Sequence, residues 1–164
     1  MKKQQRGFSL IELLIVVAII LIIAAIAIPN LIRSKIAANE ASAVASCRTV
    51  NTAEIVYSST YNTTTVFSAD LAGLADGGTA ANCAGTTTVP SSTAACLIDS
   101  ALENATQTAK SGYLFTYTPV AGSYALQAGP TALNSSGVRY FYTDQTAVIR
   151  ANSGAAASNT SSPI

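Results

Sequence analysis

The stretch from Phe8 to Ile28 constrains this chain more than any other. It reads FSLIELLIVVAIILIIAAIAI, and Glu12 is its only ionisable side chain. As a helix rising ~1.5 Å per residue it spans roughly 31 Å, about the hydrocarbon thickness of a bilayer. From Leu13 to Ile28, about a dozen Leu, Ile and Val side chains each favour insertion by ~0.3–0.6 kcal/mol. A carboxylate at the centre of a span opposes this by ~2.5–3.5 kcal/mol, and by less near the end, where Glu12 lies. Insertion therefore wins. Glu12 enters the membrane as a charge in need of a partner.

Ahead of the span, Met1-Lys2-Lys3-Gln4-Gln5-Arg6-Gly7 is a short basic segment ending in glycine, and Phe8-Ser9-Leu10-Ile11-Glu12 follows it. In this order the chain resembles the type IV pilin family, whose close relatives are the pseudopilins of type II secretion. The resemblance is specific over about residues 6–30 and one of general layout beyond. The stretch from Ser111-Gly112-Tyr113 to Arg150 is also similar to the closing sheet of major pilins. The resemblance implies cleavage between Gly7 and Phe8 by a prepilin peptidase/methyltransferase, N-methylation of the new Phe8 amine, and Glu12 as the assembly charge. The implied partners are that enzyme, the inner-membrane pilus assembly machinery, membrane lipid and further copies of the chain in a helical homopolymer. The implied location is the inner membrane for a single-pass precursor with a cytoplasmic N-terminus, then an extracellular pilus on the cell surface. The implied function is a structural subunit of a type IV pilus, not an enzyme, with a type II secretion pseudopilin as the alternative. Major pseudopilins carry an acidic calcium-binding loop near their closing strands, and Asp144 alone is a poor match to it.

The residues support such processing without the resemblance. An ordinary secretory signal is cut after its apolar region and lost. Gly7 lies before the apolar region, so a cut there leaves the helix on the mature chain and creates an amine about one helical turn from Glu12. That cation can neutralise Glu12 within one chain or between subunits, where neither charge is well solvated. The plainer alternative is an uncut anchor with Glu12 snorkelling to the headgroups. Lys2, Lys3 and Arg6 flank one end of the span, while Arg33 and Lys35 lie just past the other and mark its outer boundary. The first flank usually dominates, which turns the C-terminal part outward, into a compartment that permits disulfides.

At 164 residues the chain suits one anchor and one small domain. Its net charge is +1, and a cut after Gly7 removes three of the nine basic side chains, leaving six against eight acidic ones. No polybasic patch exists, so no nucleic acid contact is expected. Of the three cysteines, Cys83 and Cys96 flank a short Ala/Thr/Ser-rich segment with little core-forming power, and their pairing is the expectation. Pairings that use Cys47 stay open. Cys47 falls in the helical pattern and reads as a small buried hydrophobe. With no histidine and no CxxC, neither a metal site nor a Ser-His-Asp or Cys-His centre is expected. No phosphate loop or other cofactor motif occurs. A membrane-anchored envelope enzyme is a further possibility, but no residues can be assigned to it.

The fold class expected is α+β. A long N-terminal helix, apolar in its first half and amphipathic in its second, packs on a small antiparallel sheet of about four strands. After the leader, 1–7, residues 8–30 form the transmembrane or filament-core half of the helix. Pro29 kinks it. Residues 31–61 form the amphipathic half, with Ile36, Ala43, Cys47, Val50 and Tyr57 on one side. Glu40 and Glu54 read as a solvated face. Residues 62–110 form a connecting loop with a turn at Asp76-Gly77-Gly78 and short helical turns near 67–74 and 97–102. Residues 111–150 carry the sheet, with strands near 113–118, 123–128, 138–143 and 146–150, the last pair joined by a tight turn at Asp144-Gln145. Residues 151–164 are low in complexity and read as a flexible tail.

Overall fold

The computed structural model describes residues 8–61, 66–76, 83 and 90–164. The leader with Gly7, and the Gly77-Gly78 turn signal, lie outside the described residues. The chain divides into two compact units, residues 1–35 and 36–164. Helix α1, Leu10–Tyr61, has 52 residues and supplies part of both. No glycine interrupts it, and Pro29, which cannot donate to the carbonyl of Ala25, lies within it. It ends ahead of Asn62-Thr63-Thr64-Thr65-Val66, a run of low helix propensity.

In the second unit, α1 from Ile36 onward covers one face of a five-stranded antiparallel sheet of order β1-β2-β3-β4-β5. The strands are β1 Tyr113–Val120, β2 Ser123–Pro130, β3 Arg139–Asp144, β4 Arg150–Ser153 and β5 Ser162–Pro163. Strands β1 and β2 alternate as their sequences require. Tyr113 and Phe115 point inward from β1, and Tyr124, Leu126 and Ala128 from β2. Register sets Phe115 opposite Ala128 and Tyr117 opposite Leu126, with Phe141 of β3 opposite Ala128 on the far side. The small Ala128 thus lies between two large rings, Phe115 and Phe141. Each fully buried Phe or Leu here is worth roughly 1.5–3 kcal/mol relative to exposure. Gly122 turns the β1–β2 hairpin at a positive φ of 71°.

The fourth strand differs from expectation. The β3–β4 connection is not a tight turn at Asp144-Gln145 but runs to Ile149. Asp144 Oδ1 accepts from the Thr146 amide at 2.9 Å, and Ala147 takes a φ of +58° with its amide on the Asp144 carbonyl. This wider turn shifts pairing so that Tyr142 faces Arg150, and β4 extends to Ser153. Nor does the segment 151–164 lie beyond the sheet. Ser162 pairs with Ala151, the Ile164 amide bonds the Ile149 carbonyl at 3.0 Å, and Arg150 Nη1 donates to the Ser161 carbonyl at 3.1 Å. All of these contacts end on backbone groups of the segment, which an Ala/Ser/Thr-rich sequence does not advertise.

The described part of the connection between α1 and the sheet includes two one-turn helices. These are α2, Leu71–Leu74, capped by Asp70, and α3, Ser100–Glu103, capped by Asp99. Segment 95–97 lies against α2 through amides bonded to the carbonyls of Gly73, Ala75 and Leu74. Cys83 and Cys96 form the disulfide, and Cys47 is free and buried. Burial pushes the Cys47 thiol up to about 12, so it stays an inert core residue.

Glu40 and Glu54 do not form a solvated face. Both are buried, at 7% and 0% exposure. Together with Ile36, Ala43, Cys47, Val50, Tyr57 and Tyr61 they complete a stripe at alternating spacings of four and three. Glu40 accepts from the Val138 amide at 2.9 Å, the Arg139 amide at 3.1 Å and Arg139 Nε at 2.7 Å. Asn51 accepts from the Tyr124 and Thr143 hydroxyls at 2.9 and 3.0 Å and donates to the Ala147 carbonyl at 3.2 Å. Helix and sheet are therefore joined by polar anchors as well as apolar contact.

Two measurements follow from this packing. Burial raises the Glu40 carboxyl, but the Val138 amide and the Arg139 side chain and amide outweigh it and hold it below its ordinary value. Its contribution is present above the unfolded value of ~4.3 and is lost as pH falls through the lower folded value. Glu40→Gln is expected to destabilise the full-length protein in detergent by about 1–2 kcal/mol near neutral pH. The denaturant midpoints of variant and wild type should converge in acid, and a gap constant with pH would remove the charge from the explanation. Reducing Cys83–Cys96, which are 13 residues apart, should lower stability by roughly 3 kcal/mol. Thermal melts with and without reductant read this directly.

Candidate functional site

The site predicted from sequence is the start of α1. Phe8 and Ser9 precede the helix, and Phe8 is 78% exposed. The Ser9 amide donates to Glu12 Oε2 at 3.0 Å, and the Leu13 amide donates to the Ser9 carbonyl at 3.2 Å. Ser9 is therefore the residue at which the helix begins, and Glu12, three residues on, reaches back to satisfy its amide. This is the carboxylate half of a capping box. A Ser-x-x-Glu spacing ahead of an apolar run carries that signal in the sequence, beside the reading of Glu12 as a charge neutralised within one chain or between subunits. The acid also sits in the first turn, where the helix dipole favours negative charge. One carboxylate oxygen is used within the chain, and Oε1 remains for another donor.

Beyond Glu12 the unit has almost no interior. Every residue from Phe8 to Lys35 is exposed except Ala24, which is half-buried. The exposed set includes Leu13, Ile20, Ile23 and Ile28, each more than half accessible. Among the described residues one helix is long and apolar enough to cross a membrane, and none of its apolar window is buried within the protein. Exposed apolar surface on this scale marks contact with lipid or protein. After Pro29, the Ser34 hydroxyl donates to the Asn30 carbonyl at 3.0 Å, and Arg33 and Lys35 are exposed.

In the second unit the remaining candidates are packing residues. Tyr57 and Tyr61 pack with ring centroids 5.1 Å apart and planes tilted by 46°, and the Tyr57 hydroxyl donates to the Ser92 carbonyl at 2.7 Å. The face of α1 turned away from the sheet exposes small and apolar side chains, Ala37, Ala38, Ala41, Ala45, Ile55 and Val56. The described residues hold no group of three or more Cys, Asp or Glu placed to bind a metal. What this arrangement offers is a surface to be covered.

No curated protein and no solved structure is significantly similar to the chain. Residues 2–28 match the family model described as the prokaryotic N-terminal methylation motif. The motif marks structural pilin-type subunits, implies processing by a prepilin peptidase and fits a membrane-anchored precursor. The match takes in the start of the uncovered apolar helix, and over it the chain carries the signature of type IV pilins and pseudopilins.

Proposed function

We propose that this chain is the structural subunit of a type IV pilus. It is cut between Gly7 and Phe8, methylated on the Phe8 amine, stored in the inner membrane by residues 8–30 and polymerised by packing that helix against sister copies. One observation carries the reading: the methylation motif runs directly into a helix that its own chain leaves bare. Moving this helix from lipid to a filament core exchanges one apolar surrounding for another, so the hydrophobic contribution nearly cancels. Small electrostatic differences then set register. Glu12 Oε2 holds the Ser9 amide, and Oε1 takes the methylated amine of a neighbour. Leaving either charge without its partner costs about 3–5 kcal/mol. Pro29 gives the helix a soft point at the outer end of the span, which helps it fit both surroundings. A pseudopilin would share these features, so the two readings differ in phenotype.

Electron microscopy of sheared surface fibres, with mass spectrometry of their N-terminus, is expected to show fibres built from chains that start at methylated Phe8. Loss of protein export on deletion, with surface fibres intact, would favour the pseudopilin instead. Glu12→Ala should insert normally yet give few or no fibres. Glu12→Gln keeps an acceptor for the Ser9 amide but removes the charge. A fibre defect in the Gln variant, with that amide still protected from exchange in micelles, isolates the charge as the cause. Wild-type fibre yield from the Gln variant would show that only the helix cap matters.

A further inference from the structure

The second half of α1 buries two carboxyl groups, and they are met by different chemistry. Glu40 faces two backbone amides and a guanidinium. Glu54 is fully buried and, among the described residues, faces the Ser68 amide at 3.1 Å from Oε2 and the Tyr117 hydroxyl at 2.5 Å from Oε1. The titratable groups whose fields reach Tyr117 besides Glu54 are Tyr124 on β2 and Asp70 ahead of α2, and Tyr124 in turn feels Glu54, Asp144 at the end of β3 and Cys47 on α1. None of them is a cation. A carboxylate here would hold a full charge in a low-dielectric setting with no opposite charge to offset it.

Counting protons sharpens the point. The Tyr117 hydroxyl also lies 2.8 Å from the Ser68 carbonyl. A phenol has one proton to give. If Glu54 is ionised, that proton serves one acceptor and leaves two oxygens facing each other at the second. If Glu54 carries a proton, its O–H donates to Tyr117, Tyr117 donates to the Ser68 carbonyl, and the Ser68 amide donates to Glu54 Oε2. Every short contact then has a hydrogen in it, and the ring is neutral.

We propose that Glu54 is a protonated carboxylic acid near neutral pH and that its proton latches segment 66–76 onto α1 and β1, the latch opening as that proton is lost in alkali. The segment matters because α2 lies in it and segment 95–97, which holds Cys96 of the disulfide, is bonded to the carbonyls of Gly73, Leu74 and Ala75. Seating of the disulfide-closed loop is thereby tied to one proton. Burial raises the Glu54 carboxyl, against the Tyr117 and Ser68 contacts that favour its charged form, and the net direction is upward.

The test uses the full-length chain in detergent micelles. A carboxyl raised on folding adds stability that is fully present below its unfolded value of ~4.3 and is lost as pH rises through the folded value. Glu54→Gln reproduces the protonated ring, its amide NH₂ donating to Tyr117 and its carbonyl accepting from Ser68, with nothing to titrate. Wild type and Glu54→Gln are expected to melt together in acid and to separate by several degrees as pH rises, wild type falling below. Infrared spectra at neutral pH should show a carboxylic-acid C=O band that Glu54→Gln removes and Tyr117→Phe shifts. Parallel melting curves, or wild type gaining on Glu54→Gln as pH rises, overturn the proposal. If the Gln variant does not fold, the band on wild type and its shift in Tyr117→Phe still decide, and its absence at neutral pH is equally fatal.

Discussion

An apolar helix that its own chain leaves bare must be covered by something else, and this one requirement organises the molecule. Between Phe8 and Ile32 there is far more exposed Leu, Ile and Val than a soluble monomer tolerates. Lipid and a bundle of identical helices satisfy it about equally well. With near-equality, neither surrounding is a deep trap for the helix. The second unit has the opposite design. It closes its own core, with Phe115, Leu126 and Phe141 sealed between sheet and helix.

Along α1 the chain meets three carboxyl groups with three kinds of partner. Glu12 takes a backbone amide at the helix start, Glu40 takes amides and a guanidinium, and Glu54 takes a phenol and an amide. The charge of each follows from what it is given. A cation beside Glu40 keeps it ionised, whereas hydroxyl and amide alone do not repay the desolvation of Glu54. The same residue type at repeating positions on one helix therefore serves different ends.

Much of this was legible from the residues. The apolar run and strands β1 to β3 follow from local rules of hydropathy, turn chemistry and alternation, and the fold class follows from them, while the Cys83–Cys96 pairing was expected from the core-poor segment that the two cysteines flank. What escaped has a physical cause in each instance. Glu40 and Glu54 fall on the buried stripe at 36, 40, 43, 47, 50, 54, 57 and 61, but a charge read in isolation suggests solvent. Only the partners, Arg139 some hundred residues away and Tyr117 on β1, make burial affordable. Strands β4 and β5 escaped because hydrogen bonds between backbones hold them, and the Ala/Ser/Thr sequence bears no hydrophobic period. The Ser9–Glu12 cap was readable from its spacing, yet a second role for Glu12 drew attention from it.

The polar anchors also explain why so small a core selects one arrangement. Ala43, Cys47 and Val50 give α1 a smooth, shallow stripe, over which a helix can slide by a turn at little cost in apolar area. A slide of one turn, ~5.4 Å, would take Glu40 off Arg139 and the two β3 amides. It would also take Asn51 off Tyr124 and Thr143, stranding several buried polar groups at about 1–3 kcal/mol each. Hydrophobes of equal volume in place of all these groups would hold helix and sheet together but leave register undetermined. The polar anchors therefore specify the register that the apolar contacts alone leave open.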